Sequence, residues 1–196
     1  NAYQLDRDPN PAMERQSHLI YESLQAIKNS HRGIKLELGA DKTFNTHVLA
    51  LLKSAGITAE DIWFHVDIES LDETACRYLA ETHPGAIIET PIDFLAPLIM
   101  NGTQLAEGVL DRLSDWGVNR FALSWHTPQV RRLQDLLAHW GFETTICHVH
   151  ELQSFLQAVL LNPRAISSAF NFPKWQPMTT GKRSVHDVGG ELLKQA

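Results

Sequence analysis

The sequence predicts an α/β protein of alternating strands and helices, with a (β/α) barrel as its most economical arrangement. Short apolar runs alternate with longer stretches of helical period from Gly33 to Trp175, which is the pattern of βα units around a parallel sheet. The first two strands each carry ionisable residues on one face, and burying these in an open sheet covered on both sides is costly. A barrel places such groups near its mouth. An open α/β sheet is the alternative.

Length and composition indicate one globular domain. The chain has 196 residues, of which 43 % are hydrophobic and 20 % charged, with a net charge of −6. This charge does not attract polyphosphate, so we expect no nucleic-acid partner. No apolar stretch approaches the roughly 18 residues of a transmembrane segment. Cys76 and Cys147 are too few for a disulfide framework. The missing initial methionine suggests a processed protein or a fragment.

The predicted elements follow one another in strict alternation. The strands are Ile34–Leu38, Ile62–Ile68, Ala86–Thr90, Phe121–Trp125, Thr144–Val149 and Ile166–Phe170. The helices have apolar residues every three or four positions and centre on Leu19–Ile27, Val48–Leu52, Leu71–Leu79, Leu105–Leu113, Val130–Leu137 and Leu152–Leu160. Four glycines after helical runs predict left-handed caps: Gly33, Gly56, Gly117 and Gly141. The polar sequence near the end predicts a domain over 1–178 and a tail over 179–196.

The first two strands carry the most informative polar residues. Side chains alternate along a strand, so Lys35 and Glu37 share one face of IKLEL, and His65 and Asp67 share one face of IWFHVDI. Two neighbouring carboxylates suggest a cation site, with Glu37 and Asp67 as ligands. A buried ion pair of Lys35 with either carboxylate is the structural alternative. We expect all four side chains to converge inside a barrel.

Further polar residues end the later strands, where α/β proteins bind ligands. They are Glu89, Ser124, His126, His148, His150 and Asn171. Trp63 and Trp125 either stack a ligand or fill the core. His148 and His150 have metal-ligand spacing, but a single pair is a weak signal. Cys147 lies within a strand and is expected to be a buried structural thiol.

The segments RGIKLEL, DIWFHVDI, GFETTICHV and ISSAFNFPKW resemble the phospholipase C-like phosphodiesterase superfamily. The similarity extends over about residues 15–175 and includes its glycerophosphodiester phosphodiesterases and, still more, its menorin-like branch. It implies a TIM-type barrel of which the six strands are the third to eighth. The first two strands of the family, with a histidine and a glutamate–aspartate pair, have no counterpart here.

The resemblance also implies functional roles for individual residues. Glu37 matches the metal-binding glutamate of the family's third strand, and Asp67 faces the same mouth. Asn171 stands where the closing motif has an aspartate. A divalent cation, Mg²⁺ or Ca²⁺, would polarise the phosphate. Lys35 would neutralise developing charge and His65 would transfer a proton.

The leading functional hypothesis is therefore a metal-assisted hydrolase of a small phosphodiester or lipid-derived substrate. Glu89, Trp125, His148 and Asn171 are the expected substrate-binding residues. A catalytically silent barrel that acts as a binding or interaction module is the main alternative, and an open α/β ligand-binding domain without metal is the third. The uncovered edge of an incomplete parallel sheet also predicts self-association.

Overall fold

The computed structural model describes residues 11–168 except 31, 40–41, 69–71 and 102–103. Asn171 and the predicted tail over 179–196 lie outside these residues. The chain divides into two compact units, one formed by residues 1–90 and 110–119 and the other by residues 91–109 and 120–196. Within each unit, strand order follows chain order.

The described residues of the first unit begin with helices and strands in alternation. They are α1 (Pro11–Asn29), β1 (Ile34–Leu38), α2 (Lys42–Ala55), β2 (Ile62–Val66), α3 (Glu73–Thr82) and β3 (Ile87–Pro91, whose last residue belongs to the second unit). Strand β2 pairs in parallel with β1 on one side and with β3 on the other. This is the βα pattern that the sequence predicted for this part of the chain.

The second unit continues the alternation. Its elements are α4 (Ala96–Met100), α5 (Gln104–Asp115, which crosses into the first unit), β4 (Arg120–Ser124), α6 (Val130–His139), β5 (Thr144–Val149), α7 (Leu152–Val159) and β6 (Ala165–Ser168). Strand β5 pairs in parallel with both β4 and β6, and its pairing with β6 is interrupted by a bulge between Ile146 and Val149.

Hydrophobic burial fixes which face of each strand is polar. In β2 the side chains of Ile62, Phe64 and Val66 are almost fully buried, whereas Trp63 and His65 between them are half-buried. Because strand side chains alternate, one face of β2 belongs to the core and the other is left for polar groups. The predicted division into an aliphatic and an ionisable face is therefore confirmed for this strand.

Several predicted boundaries shift by one or two residues. Strand β2 ends at Val66, so Asp67 lies just beyond it, and β4 ends at Ser124, so Trp125 also follows its strand. The predicted sixth strand extends to Phe170, outside the described residues, and the structure assigns Ala165–Ser168. The short helix α4 was not predicted, because Pro97 hides the helical period of a segment that is only five residues long.

Three of the four predicted glycine caps are confirmed, since Gly56, Gly117 and Gly141 all have positive φ. The prediction for Gly33 is wrong: α1 ends earlier, at Asn29, and Gly33 has no left-handed backbone. A Cβ at Gly33 would lie 3.1 Å from the carbonyl oxygen of Asp61. This glycine therefore permits a close approach of two backbone segments rather than a helix stop.

The two cysteines are buried and are not joined by a disulfide, which confirms the expectation for Cys147. No helix among the described residues is long and apolar enough to cross a membrane.

Candidate functional site

A buried glutamate joins two of the predicted site residues in the first unit. Glu89 of β3 is 0 % exposed, and its Oε1 accepts a hydrogen bond from Lys35 Nζ at 2.8 Å. The same oxygen lies 2.9 Å from His65 Nδ1. The side chains of Lys35 and His65 are 28 % and 24 % exposed. We call these three residues the Lys35–His65–Glu89 cluster.

Strand register explains why these residues meet. His65 of β2 is in register with Glu89 of β3, and Glu37 of β1 is in register with His65. Residues in register on parallel neighbours point to the same face, so a glutamate, a histidine and a second glutamate form one row across the three strands. Lys35 precedes this row by two residues and shares its face.

Lys35 reaches the buried carboxylate by crossing the intervening strand. Trp63 is the residue of β2 in register with Lys35, and the Lys35 Nζ lies 4.7 Å from the centroid of its ring. The indole face stabilises the ammonium group through a cation–π interaction, and Glu89 neutralises it. The structure thus pairs Lys35 with Glu89, which corrects the alternative of an ion pair with Glu37 or Asp67 on the first two strands.

The two predicted metal ligands are both exposed. Glu37 lies beside His65 in the row described above, and Asp67 lies one residue beyond the end of β2. The structure therefore brings Lys35 and His65 together through Glu89, with Glu37 on the same face and Asp67 outside the strand pairing.

A divalent cation needs more ligands than these residues provide. Among the residues that the structure describes, no group of three or more His, Cys, Asp and Glu side chains could hold a metal ion. Glu89 Oε1 already accepts from Lys35 and His65, and Mg²⁺ or Ca²⁺ sites take six or more oxygen ligands, water included. The described residues do not fit a metal site, so no chemical step is assigned to an ion.

The remaining predicted site residues belong to the second unit or lie outside the described chain. Trp125 is half-buried directly after β4, and His148 is exposed near the end of β5. Asn171 is outside the described residues. Their assignment to substrate binding stays a prediction.

A second polar group surrounds the hydroxyl of Ser124 at the ends of β4 and β5. Ser124 Oγ accepts a hydrogen bond from the His126 backbone N–H at 3.2 Å and lies 3.1 Å from His148 Nδ1. Asp93 Oδ1 accepts hydrogen bonds from the backbone N–H of Ser124, at 2.9 Å, and from the hydroxyl of Thr127. The sequence analysis missed Asp93, whose only signal was its position three residues after a predicted strand.

The helices of the first unit also form a groove, with a volume of about 540 Å³. It is lined by residues of α2, the loop before β2 and α3, among them Lys53, Tyr78 and His83, and by Ile62 at the start of β2. In α/β proteins ligands bind at the carboxyl ends of the strands. The groove lies at the amino end of β2 and is therefore the weaker candidate site.

Solved structures share this fold. A protein assigned as a glycerophosphodiester phosphodiesterase from Galdieria sulphuraria matches 76 % of the chain with a TM-score of 0.54 and 13 % identity. One from Agrobacterium tumefaciens, assigned in the same way, matches 76 % with a TM-score of 0.58 and 14 % identity. The EAL domain of Mycobacterium smegmatis DcpA matches 81 % of the chain and 79 % of its own length, with a TM-score of 0.51 and 13 % identity.

These matches establish the fold class, an α/β chain with the strand and helix order of part of a TIM-type barrel. The fold expected from the phospholipase C-like resemblance is thereby confirmed. The chain spans 59 % and 58 % of the two glycerophosphodiester phosphodiesterase structures, which is less than two thirds of their length. No protein-family model matches the sequence, and no curated protein is significantly similar to it.

Proposed function

We propose that this chain hydrolyses phosphodiesters, with His65 as general acid and base and Glu89 as the residue that positions it. The observation that carries the proposal is the fully buried Glu89 carboxylate, bonded to both Lys35 and His65. A histidine held at one ring nitrogen by a carboxylate has a fixed orientation and tautomer, and its other nitrogen is directed for proton transfer. The fold shared with proteins assigned as phosphodiesterases supports the choice of reaction.

The proposed reaction uses side chains only. A water oxygen attacks phosphorus and forms a new P–O bond while the bond to the leaving alcohol breaks. His65 donates its Nε2 proton to the leaving oxygen and then takes up the proton that the attacking water loses, so that the ring returns to its starting state. Glu89 stabilises the protonated ring from the Nδ1 side. Lys35 places its positive charge beside the phosphate oxygens. The products are an alcohol and a phosphate monoester.

The proposal changes the role of Glu89 from substrate contact to positioning, since its carboxylate is buried and engaged by two side chains. Glu37 and Asp67 are exposed carboxylates to which the proposal assigns no step, because the described residues do not complete a Mg²⁺ or Ca²⁺ site around them. The substrate class is a small phosphodiester, including lipid-derived glycerophosphodiesters.

The test is hydrolysis of bis(p-nitrophenyl) phosphate and glycerophosphocholine by the full chain, with Mg²⁺, with Ca²⁺ and with EDTA. Removing a general acid–base group costs about 100-fold or more in rate, so we expect this loss in His65→Gln. His18→Gln is the matched control, because His18 is an exposed histidine of the same unit.

Equal rates for the wild type and for His65→Gln would overturn the proposal. No turnover of either substrate under any of the three conditions would favour the catalytically silent barrel.

A further inference from the structure

Three exposed histidine rings lie together in the second unit, outside the cluster assigned to catalysis. The rings of His126 and His150 are stacked with their centroids 6.1 Å apart, and those of His148 and His150 with theirs 6.4 Å apart. All three residues are exposed. We call them the histidine triplet. Because these imidazoles are exposed, core packing does not account for their clustering.

The backbone of His148 is itself unusual. Its φ is +58°, a left-handed conformation that is uncommon for residues other than glycine and carries strain in a strand. The residue lies within the β-bulge of strand β5, and bulges re-aim side chains near functional sites. In this conformation the His148 imidazole lies beside the Ser124 hydroxyl, with Nδ1 3.1 Å from Oγ.

The carboxylate of Asp93 orders the loop that carries His126. Asp93 accepts hydrogen bonds from the Ser124 backbone N–H and from the Thr127 hydroxyl, so this carboxylate orders the loop. Glu151 follows His150 and is exposed. The same loop leads into α6, whose first turn has no side-chain cap and which begins four residues beyond His126. The N-terminal end of a helix carries a partial positive charge.

The donors of this region suit a tetrahedral oxyanion better than a metal ion. The metal-ligand geometry is absent from the described residues, including these three histidines. Neighbouring rings whose centroids lie 6.1 and 6.4 Å apart can each direct an N–H at a different oxygen of one phosphate group. Protonated imidazoles would bind it through charge-assisted hydrogen bonds.

We propose that the histidine triplet, together with the Ser124 hydroxyl, binds the phosphate of a phosphate monoester or of free inorganic phosphate. None of these residues belongs to the Lys35–His65–Glu89 cluster, so the inference does not rest on the proposed hydrolysis.

The test is calorimetric titration of the full chain with inorganic phosphate and, in a second arm, with glycerol 3-phosphate. His148→Asn removes the imidazole while keeping a residue that tolerates the left-handed backbone, and His150→Gln removes the central ring. Each variant should weaken binding by about tenfold, the loss of one charge-assisted hydrogen bond. His139→Gln, an exposed histidine of α6, should bind like the wild type.

The two arms separate the sources of the phosphate. Tighter binding of glycerol 3-phosphate identifies a monoester site, and equal binding identifies a site for the phosphate group alone. Either result supports the proposal if His148→Asn and His150→Gln weaken the binding of phosphate. Binding unaffected by both variants, or no phosphate binding beside tight binding of Zn²⁺ in a parallel titration, would overturn it. Loss of hydrolysis by His65→Gln with phosphate binding retained shows that the two sites are independent.

Discussion

At the scale of single residues, Glu89 and Glu37 show how two glutamates in one row of a sheet take different roles. Glu89 is fully buried and bonded to Lys35 and His65, whereas Glu37 is exposed beside the same histidine. A carboxylate inside a sheet is tolerated only with such partners. Burial thus assigns a structural and positioning role to Glu89, whereas Glu37 faces solvent.

Substitution of each glutamate by glutamine tests this difference. Glu89→Gln leaves Lys35 without its charged partner beside a buried site and is expected to cost about 3 kcal/mol of the free energy of unfolding. Glu37→Gln should cost less than about 0.5 kcal/mol, as for an exposed position. Urea titrations of both variants in EDTA supply the measurement. Equal losses would show that Glu37 is as deeply engaged as Glu89.

His83 at the end of α3 provides a pH-dependent contribution to stability. Burial lowers the pKa of His83 below its ordinary value, and a backbone hydrogen bond at Leu79 offsets part of this effect. The ring also packs edge-on against Phe64, with centroids 5.3 Å apart. The unfolded chain therefore takes up the proton more readily than the folded protein, so this contribution is complete above about pH 6.5 and is lost as pH falls through lower values.

We expect the free energy of unfolding of the wild type to fall more than that of His83→Gln between about pH 7.5 and pH 5. The difference between the two proteins isolates His83 from all other titrating groups. Urea titrations at a series of pH values measure it. Parallel curves for the two proteins would contradict the prediction.

At the scale of elements, two glycines that end helices both have positive φ but differ in their surroundings. Gly117 follows α5 with φ +99°, and a Cβ there would lie only 2.5 Å from the Cβ of Ala80 in α3. Gly141 follows α6 with φ +85°, and a Cβ there would have no atom within 4 Å. Both positions need left-handed backbone, but only the first also needs the absence of a side chain.

Gly141→Ala should therefore cost about 1 kcal/mol, the strain of a left-handed alanine. Gly117→Ala should cost more, about 3 kcal/mol, because α3 or α5 must shift to admit the methyl group. Thermal and urea unfolding of the pair give the comparison. If both variants lose the same stability, the contact between the cap of α5 and α3 is looser than described.

The elements were more predictable from sequence than the site. Alternating apolar residues in IKLEL and IWFHV identified β1 and β2 because hydrophobic burial follows a local period. The partner of Lys35 depends instead on which residues of three distant strands stand in register, and no local period encodes that Glu89 is in register with His65. The left-handed backbone of His148 was equally hidden, since histidine in a strand predicts ordinary extended geometry.

At the scale of the whole molecule, two strands have a single partner each among the described residues. Strand β1 pairs with β2 alone and β6 pairs with β5 alone, and a parallel edge offers unpaired backbone groups to another chain. We expect the chain to associate as its concentration rises through the micromolar range. Sedimentation velocity detects this as a rising average sedimentation coefficient. A single species of monomer mass over the whole range would contradict the expectation.

The two cysteines allow the opening of each unit to be measured separately, by the rate of thiol labelling. Cys76 in α3 belongs to the first unit and Cys147 in β5 to the second, and both are buried. Burial, and secondarily the nearby Asp72 carboxylate, raise the pKa of the Cys76 thiol, so the folded protein should react slowly with a disulfide reagent at either site. The rate at which each thiol is labelled therefore measures how often its surroundings open. Equal rates, after correction for intrinsic thiol reactivity, indicate that the two units unfold cooperatively. Unequal rates indicate that each unit opens independently.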